Sequence, residues 1–306
     1  MRSWQALTLN GVLRFTMKRH GKKSIDLHRL RATTRNPPKM SLAIPPGFRI
    51  DSVTTEQGLS FDVVDRDGVR VPPPPAIVLY FHGGGYIFGS PRTHRQVLLA
   101  MAKAFESPVY GLFYRLAPEN PFPAAVEDAE LAYRWLLAKY PDRPIVLAGD
   151  SAGAGLAVAT AIGIRDAGLK TPAGLVGFSP YSDMAVTGDS VESNARTCAM
   201  FTPRGVREAA ALYMAGADPK HPRASPIYAN LSGLPPMLLF VSRHEILRDD
   251  TLRLAERARA AGVDVELVER DRLPHVWPVF VGILPEAREA FLKVRAFGHR
   301  ILQGGR

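Results

Sequence analysis

Residues 145–164, IVLAGDSAGAGLAVATAIGI, pass from a short apolar run into a long run of small and apolar residues. The junction is Gly149-Asp150-Ser151-Ala152-Gly153. Residues 145–148 are bulky, branched and too few for a helix, so they predict a buried strand. Residues 151–167 predict a helix, which Gly168 stops. A serine flanked by glycines at such a junction sits on a sharp strand-to-helix turn. There its hydroxyl projects above the sheet, and the helix N-terminus favours developing negative charge.

The same alternation extends in both directions. Strands are predicted over residues 76–81 (AIVLYF), 109–113, 174–178, 237–241 and 263–268. Helices are predicted over 93–105, 124–139, 249–261 (stopped by Gly262) and 284–297. Ahead of them, 48–54 and 59–64 read as short strands joined near Gln57-Gly58. Asp67-Gly68 reads as a turn and residues 72–75 as a stiff, proline-rich extended loop. Continuous apolar strands alternating with helices specify an α/β fold: a mostly parallel sheet covered on both faces. No strand pattern appears between Tyr181 and Pro236, where Thr202-Pro203 marks a helix start. An insertion of that length between strands is a candidate lid.

Composition narrows the class further. Apolar residues are 46% and charged residues 22% of 306, enough for a sizeable core and too apolar for a disordered chain. The single cysteine, Cys198, excludes an intrachain disulfide and the usual cysteine zinc sites. The longest small-and-apolar run, 152–164, is far short of the roughly 20 residues a membrane span needs. No signal-peptide pattern opens the chain, so a cytoplasmic protein is expected.

The net charge of +10 lies at one end. Residues 1–50 hold eleven Lys and Arg against one acid, Asp26, and the remainder is neutral. Leu9, Leu13 and Met17 recur at helical spacing in this arm. The expectation is a helix packed on its own domain with a basic face in solvent. Attachment to an anionic membrane surface is the lesser reading. No recognition motif supports nucleic acid.

Three further positions bear on chemistry. His82-Gly83-Gly84-Gly85 follows the strand 76–81 and leaves backbone N–H groups uncovered, as an oxyanion hole requires. A phosphate loop would need Lys and Ser/Thr next, and Tyr86-Ile87-Phe88 supplies neither. A serine also needs a base. Of eight histidines, His20 and His28 lie in the arm and His82 reads as bracing the glycine loop. His94 opens a helix, His221 is in the insertion, His244 adjoins an acidic cluster and His299 is near the end. His275 follows the last strand, where sites in parallel sheets form. An acid must orient that base, and Glu245, Asp249 and Asp250 follow the strand 237–241. The two aspartates are ordinary first-turn residues of the next helix, which leaves Glu245. The order Ser, acid, His is that of α/β-hydrolases.

The sequence resembles the hormone-sensitive-lipase-like group of α/β-hydrolase carboxylesterases. The motifs are HGGGYIFGSPRTHR (82–95), YRLAPENPFPAAVEDA (114–129), GDSAGAG (149–155), HEILRDD (244–250) and PHVW (274–277). They span most of the chain, in the group's order and at its intervals. The resemblance implies an α/β-hydrolase fold with a helical cap, built from residues 1–45 and an inserted 181–235. The core is then 46–180 and 236–306. It implies Ser151 as nucleophile, His275 as base, and the N–H groups of Gly84, Gly85 and Ala152 as oxyanion donors. It implies no metal and no cofactor, and because members of the group often dimerise, a homodimer is a further expectation. The group more often has aspartate where Glu245 stands, and two glycines where Ala154 and Gly155 stand. Arg115 and Glu119 read as structural. The expected activity is serine-dependent hydrolysis of short- to medium-acyl esters through an acyl-enzyme. An amidase, lactonase or formamidase at the same site is the alternative within enzymes. A non-catalytic receptor for a small molecule is the alternative outside them.

Overall fold

The computed structural model describes residues 3–18, 24–35, 44–68 and 73–303. His20 and Pro72 lie outside the described residues. The strands are β1 (Phe48–Thr54), β2 (Ser60–Arg66), β3 (Ile77–Phe81), β4 (Val109–Phe113), β5 (Ile145–Asp150), β6 (Gly174–Phe178), β7 (Met237–Ser242) and β8 (Val265–Arg270). The helices are α1 (Trp4–Leu13), α2 (Leu27–Arg35), α3 (Arg95–Phe105), α4 (Ala124–Lys139), α5 (Ala152–Asp166), α6 (Ser190–Ser193), α7 (Pro203–Met214), α8 (Arg248–Ala260) and α9 (Pro285–Gln303).

The strands form one sheet in the order β1-β2-β4-β3-β5-β6-β7-β8. Only β2 runs against its neighbours, β1 and β4; the rest pair in parallel. The four central strands β3, β5, β6 and β7 are buried along their whole length. That explains their apolar runs: with both faces covered, Asp150 and Ser242 stand only at the carboxyl ends of β5 and β7. Their period of two divides the core. Ile77, Leu79, Phe81, Leu147 and Leu239 join the side packed by α4, α5, α7 and α8. Val78, Tyr80, Val146, Leu238 and Phe240 join the side packed by α3 and α9. Each such side chain contributes roughly 1.5–3 kcal/mol relative to exposure, so the two layers dominate the fold's stability.

Helix α5 lies against the sheet with all but three of its residues buried, which accounts for its small side chains. The expected helix over 93–105 starts later. Ser90 and Thr93 cap a 3-10 turn at Pro91–His94, and α3 begins at Arg95. The closing helix is longer than its sequence pattern, reaching Gln303. Thr202 caps α7, accepting from the N–H of Gly205, with Pro203 at the first helical position as expected. No helix among the described residues is long and apolar enough to cross a membrane.

The arm departs from expectation. Leu13 is buried and Leu9 and Met17 pack with it against Ala199, Met200 and Phe280, as their spacing predicts. The outward face, however, is apolar rather than basic. Trp4, Leu7 and Val12 are 71%, 51% and 51% exposed. Arg14 donates to the Thr197 carbonyl, and Lys18 to the carbonyls of Ala195, Arg196 and Cys198. The two cations therefore satisfy carbonyls of the loop between α6 and α7, and the helix is apolar on two sides.

Candidate active site

The junction at 149–153 forms the expected turn between β5 and α5. Ser151 has φ 53° and ψ −120°, a conformation that costs about 1–3 kcal/mol and persists only where surroundings enforce it. The enforcement is visible. The N–H of Ser151 donates to the Phe178 carbonyl at 2.8 Å, and its carbonyl accepts from Tyr181 at 2.9 Å. The glycines permit contact that no side chain could. A Cβ on Gly153 would lie 2.0 Å from the Phe81 oxygen, and one on Gly149 2.4 Å from Gly153. The Ser151 turn thus abuts the end of β3, where the glycine loop starts.

Asp150, within the motif, fixes that loop. Its Oδ1 accepts from Tyr80 Oη at 2.7 Å and from the Gly83 N–H at 3.0 Å, and His94 Nε2 lies 3.3 Å away. Burial disfavours the Asp150 carboxylate, but His94 and the Tyr80 hydroxyl outweigh it and hold its pKa below the usual value. Burial likewise opposes His94 protonation, and Asp150 reverses the balance and raises it. Gly84 has φ +127°, and a Cβ there would strike the Phe88 carbonyl oxygen at 2.0 Å. Among the described residues, the N–H groups of Gly84 and Gly85 meet no protein acceptor. His82 braces this loop: its ring stacks on Tyr114 at 4.2 Å, and its Nδ1 lies 2.8 Å from the Gly83 oxygen.

The strand order puts the carboxyl ends of β5, β6, β7 and β8 side by side. Ser151, Ser179, Glu245 and His275 follow those four ends in turn. His275 and Glu245 are both about 1% exposed, with Nδ1 3.4 Å from Oε1. Neither ring nitrogen of His275 has a hydrogen-bond partner among the described residues. Phe201, from the inserted segment, sets its ring edge-on to the imidazole at 5.1 Å.

The other candidates have other employment. Asp250 Oδ2 accepts from the N–H groups of Ser182 and Asp183, and Asp249 Oδ2 from Ser190. Both hold the inserted segment to α8. His244 pairs with Asp271, and His221 accepts from Arg223. Arg115 binds Asp128 at the head of α4, and Glu119 pairs with Arg31. Sequence reasoning passed over Ser179. Its Oγ donates to Glu245 Oε2 at 2.9 Å and accepts from the Val276 N–H at 3.1 Å. The signal was a polar residue closing an otherwise apolar strand, GLVGF then Ser179. An open cleft of about 460 Å³ beside Phe88, Arg92 and Leu116 includes neither Ser151 nor His275. Among the described residues, no three His, Cys, Asp or Glu side chains converge as a metal site requires.

A mostly parallel sheet with a serine turn, a glycine loop and a buried acid–imidazole pair at its carboxyl edge defines an α/β-hydrolase. Comparison with known proteins agrees: residues 78–279 match the alpha/beta hydrolase fold family. An acetyl-hydrolase of Streptomyces hygroscopicus is 45% identical over 221 residues, covering 72% of this chain and 74% of that protein. A solved esterase of the bacterial hormone-sensitive lipase family is 40% identical, covers 99% of both chains and superposes with TM-score 0.88. A structure named EstE5-PMSF is 38% identical, covers 97% of this chain and 98% of that one, and gives TM-score 0.86. The chain belongs to the hormone-sensitive-lipase-like group of the α/β-hydrolase family, a group of carboxylic ester hydrolases.

Proposed function

We propose that the chain is a serine carboxylesterase acting on short- to medium-acyl esters. Ser151 is the nucleophile, His275 the general base and acid, and Glu245 the group that orients and stabilises the imidazolium. As Ser151 Oγ bonds to the ester carbonyl carbon, His275 Nε2 takes the hydroxyl proton. The N–H groups of Gly84, Gly85 and Ala152 receive the oxyanion. The carbon–oxygen bond to the alcohol then breaks while His275 returns the proton to the departing oxygen. Water repeats the sequence: His275 takes its proton, the acyl–Oγ bond breaks, the acid leaves and Ser151 regains its proton. Residues 1–45 and 181–235 form a cap that shapes the acyl and alcohol pockets.

The observation that carries this reading is the buried Glu245–His275 approach at 3.4 Å, with the imidazole Nε2 left without a hydrogen-bond partner among the described residues. Burial excludes water from a pair whose attraction therefore counts for more. Two similar proteins add support: one is named an acetyl-hydrolase, and the structure of the other is named for PMSF, a sulfonyl fluoride that reacts with activated serines. For the cap, support comes from Phe201 over His275 and from the arm's hydrogen bonds to residues 195–198.

Turnover of a series of aryl esters of increasing acyl length tests the activity. Ser151→Ala should lower it by a factor on the order of 10⁴ or more at unchanged thermal stability. Glu245→Gln should cost on the order of 10³-fold or more, through loss of the charge that steadies the imidazolium. Asp249→Asn should leave turnover within about threefold, since its carboxylate serves the Ser190 amide and an ion pair with Arg248 and does not face His275. Full activity in the serine variant would end the reading, and a larger loss at Asp249 than at Glu245 would reassign the acid.

A further inference from the structure

One side chain, His94, meets both ends of the loop that carries Gly84 and Gly85. Its Nε2 lies 3.3 Å from Asp150 Oδ1, the oxygen that accepts from the Gly83 N–H at 3.0 Å. Its Nδ1 lies 3.0 Å from the carbonyl oxygen of Ser90, where the loop runs into the 3-10 turn. Gly89 packs those ends together: a Cβ on it would lie 2.4 Å from the Gly83 oxygen. The loop thus folds back on itself, and the imidazole bridges its near end and its far end.

Both partners of the ring are acceptors. Asp150 Oδ1 already accepts from Tyr80 and Gly83, and a carbonyl oxygen has no hydrogen to give. Thr93 Oγ, 2.9 Å from Nδ1, donates to the Ser90 oxygen and offers the ring no hydrogen either. A neutral imidazole has one N–H and can serve one end of the loop; serving both takes the imidazolium. The neighbouring groups suit a cation here. Tyr80 and His82 face the ring at 6.4 and 5.7 Å between centroids. Tyr80 donates to Asp150, and burial, reinforced by the charge of His94, keeps His82 neutral. Arg92, on the same turn, reaches toward Asp62 and the Phe113 ring instead. Burial opposes the His94 proton, and Asp150 outweighs it.

We propose that His94 is a positioning residue for the oxyanion donors, an imidazolium that holds both ends of the loop 83–90 at once. Loss of its second proton frees one end, and the N–H groups of Gly84 and Gly85 lose their fixed aim. This rests on the proposed hydrolysis and adds a second pH limit to it. Protonation of His275 removes the base, so it costs activity on the acid side. Deprotonation of His94 costs activity on the alkaline side. The loss falls on kcat rather than KM, because oxyanion donors act mainly on the transition state.

The pH dependence of kcat for an aryl ester tests the proposal, with spontaneous hydrolysis subtracted and circular dichroism confirming the fold at each pH. The parent should fall about tenfold on the alkaline side, the effect of one hydrogen bond to a charged group, with KM nearly unchanged. His94→Gln keeps a donor toward Asp150, has none toward Ser90 and does not titrate. Its kcat should lie about tenfold below the parent's plateau and stay level on the alkaline side, with the acid side unaltered. An alkaline fall of equal size in the variant would overturn the proposal, as would a level parent. Nitrogen-15 NMR of the parent needs neither variant nor turnover: His94 should carry two protons at about pH 7 and lose one with a midpoint above 6.5. A neutral ring at that pH would overturn the proposal. Turnover that survives Ser151→Ala would end the hydrolase reading and this proposal with it. Ser151-dependent turnover with a level alkaline side would end this proposal alone.

Discussion

The hydroxyl of Ser179 donates to Glu245 Oε2 at 2.9 Å, and Ser179 Oγ accepts from the N–H of Val276 at 3.1 Å. One side chain therefore fixes the acid and the backbone next to His275. Without it, Oε2 retains among the described residues only the Ser242 N–H at 3.4 Å, too long to orient a carboxylate. Ser179→Ala should lower kcat about tenfold, the effect of one hydrogen bond to a charged group, with KM nearly unchanged. Steady-state kinetics on an aryl ester check this. A loss appearing in KM alone would show that the serine supports substrate binding instead.

What was legible in the sequence was local. The Ser151 turn is written in five contiguous residues, because a strand end, a tight turn and a helix start each leave a short-range mark. His275 and Glu245 were reachable because each follows a recognisable strand. Asp249 and Asp250 hold backbone amides of the inserted segment while Glu245 faces His275, and the rule that acids favour first helical turns is what set the aspartates apart in the sequence. Ser179 left only the mark of a polar residue after an apolar strand, since its role comes from β6 lying beside β7, a pairing across 66 residues. The arm was half legible. Leu9, Leu13 and Met17 gave the inner face, but the destination of Arg14 and Lys18 depends on carbonyls about 180 residues away.

His82 makes stability fall in acid. Burial, reinforced by the charge of His94, lowers its pKa from 6.5 to about 3. Below pH 6.5 the unfolded chain takes up a proton that the folded chain refuses until about pH 3. Stability is lost through that window at about 1.4 kcal/mol per pH unit from this group. His94 acts oppositely: its raised pKa adds stability that is present below 6.5 and lost as pH rises through its folded value. His82→Gln should be less stable than the parent near neutrality, because the Tyr114 stacking is lost. Two pH units below 6.5, that deficit should shrink by about 2–3 kcal/mol. Urea unfolding at the two pH values measures it, and a constant deficit would contradict the assignment.

Arg31 of α2 joins the arm to the glycine loop. Its Nε donates to the Ile87 carbonyl at 2.9 Å and Nη2 to the Ala117 carbonyl at 2.6 Å, while the guanidinium pairs with both oxygens of Glu119. Ile87 lies two residues beyond Gly85, so the clamp steadies the loop from its far end, as Asp150 does from its near end. The ion pair itself adds little, since Glu119 is exposed and water competes for it, although Arg31 holds its pKa down at about 2. The carbonyl bonds matter more, because a flat guanidinium meets two backbone oxygens that a shorter amide cannot span. Arg31→Gln should therefore lower kcat about three- to tenfold and cost about 1–2 kcal/mol of stability. Glu119→Gln should change kcat less than about twofold and stability by about 0–1 kcal/mol. Kinetics and thermal unfolding of the two variants side by side separate the contributions. Equal losses of kcat would mean that the ion pair, and not the carbonyl clamp, holds the loop in register.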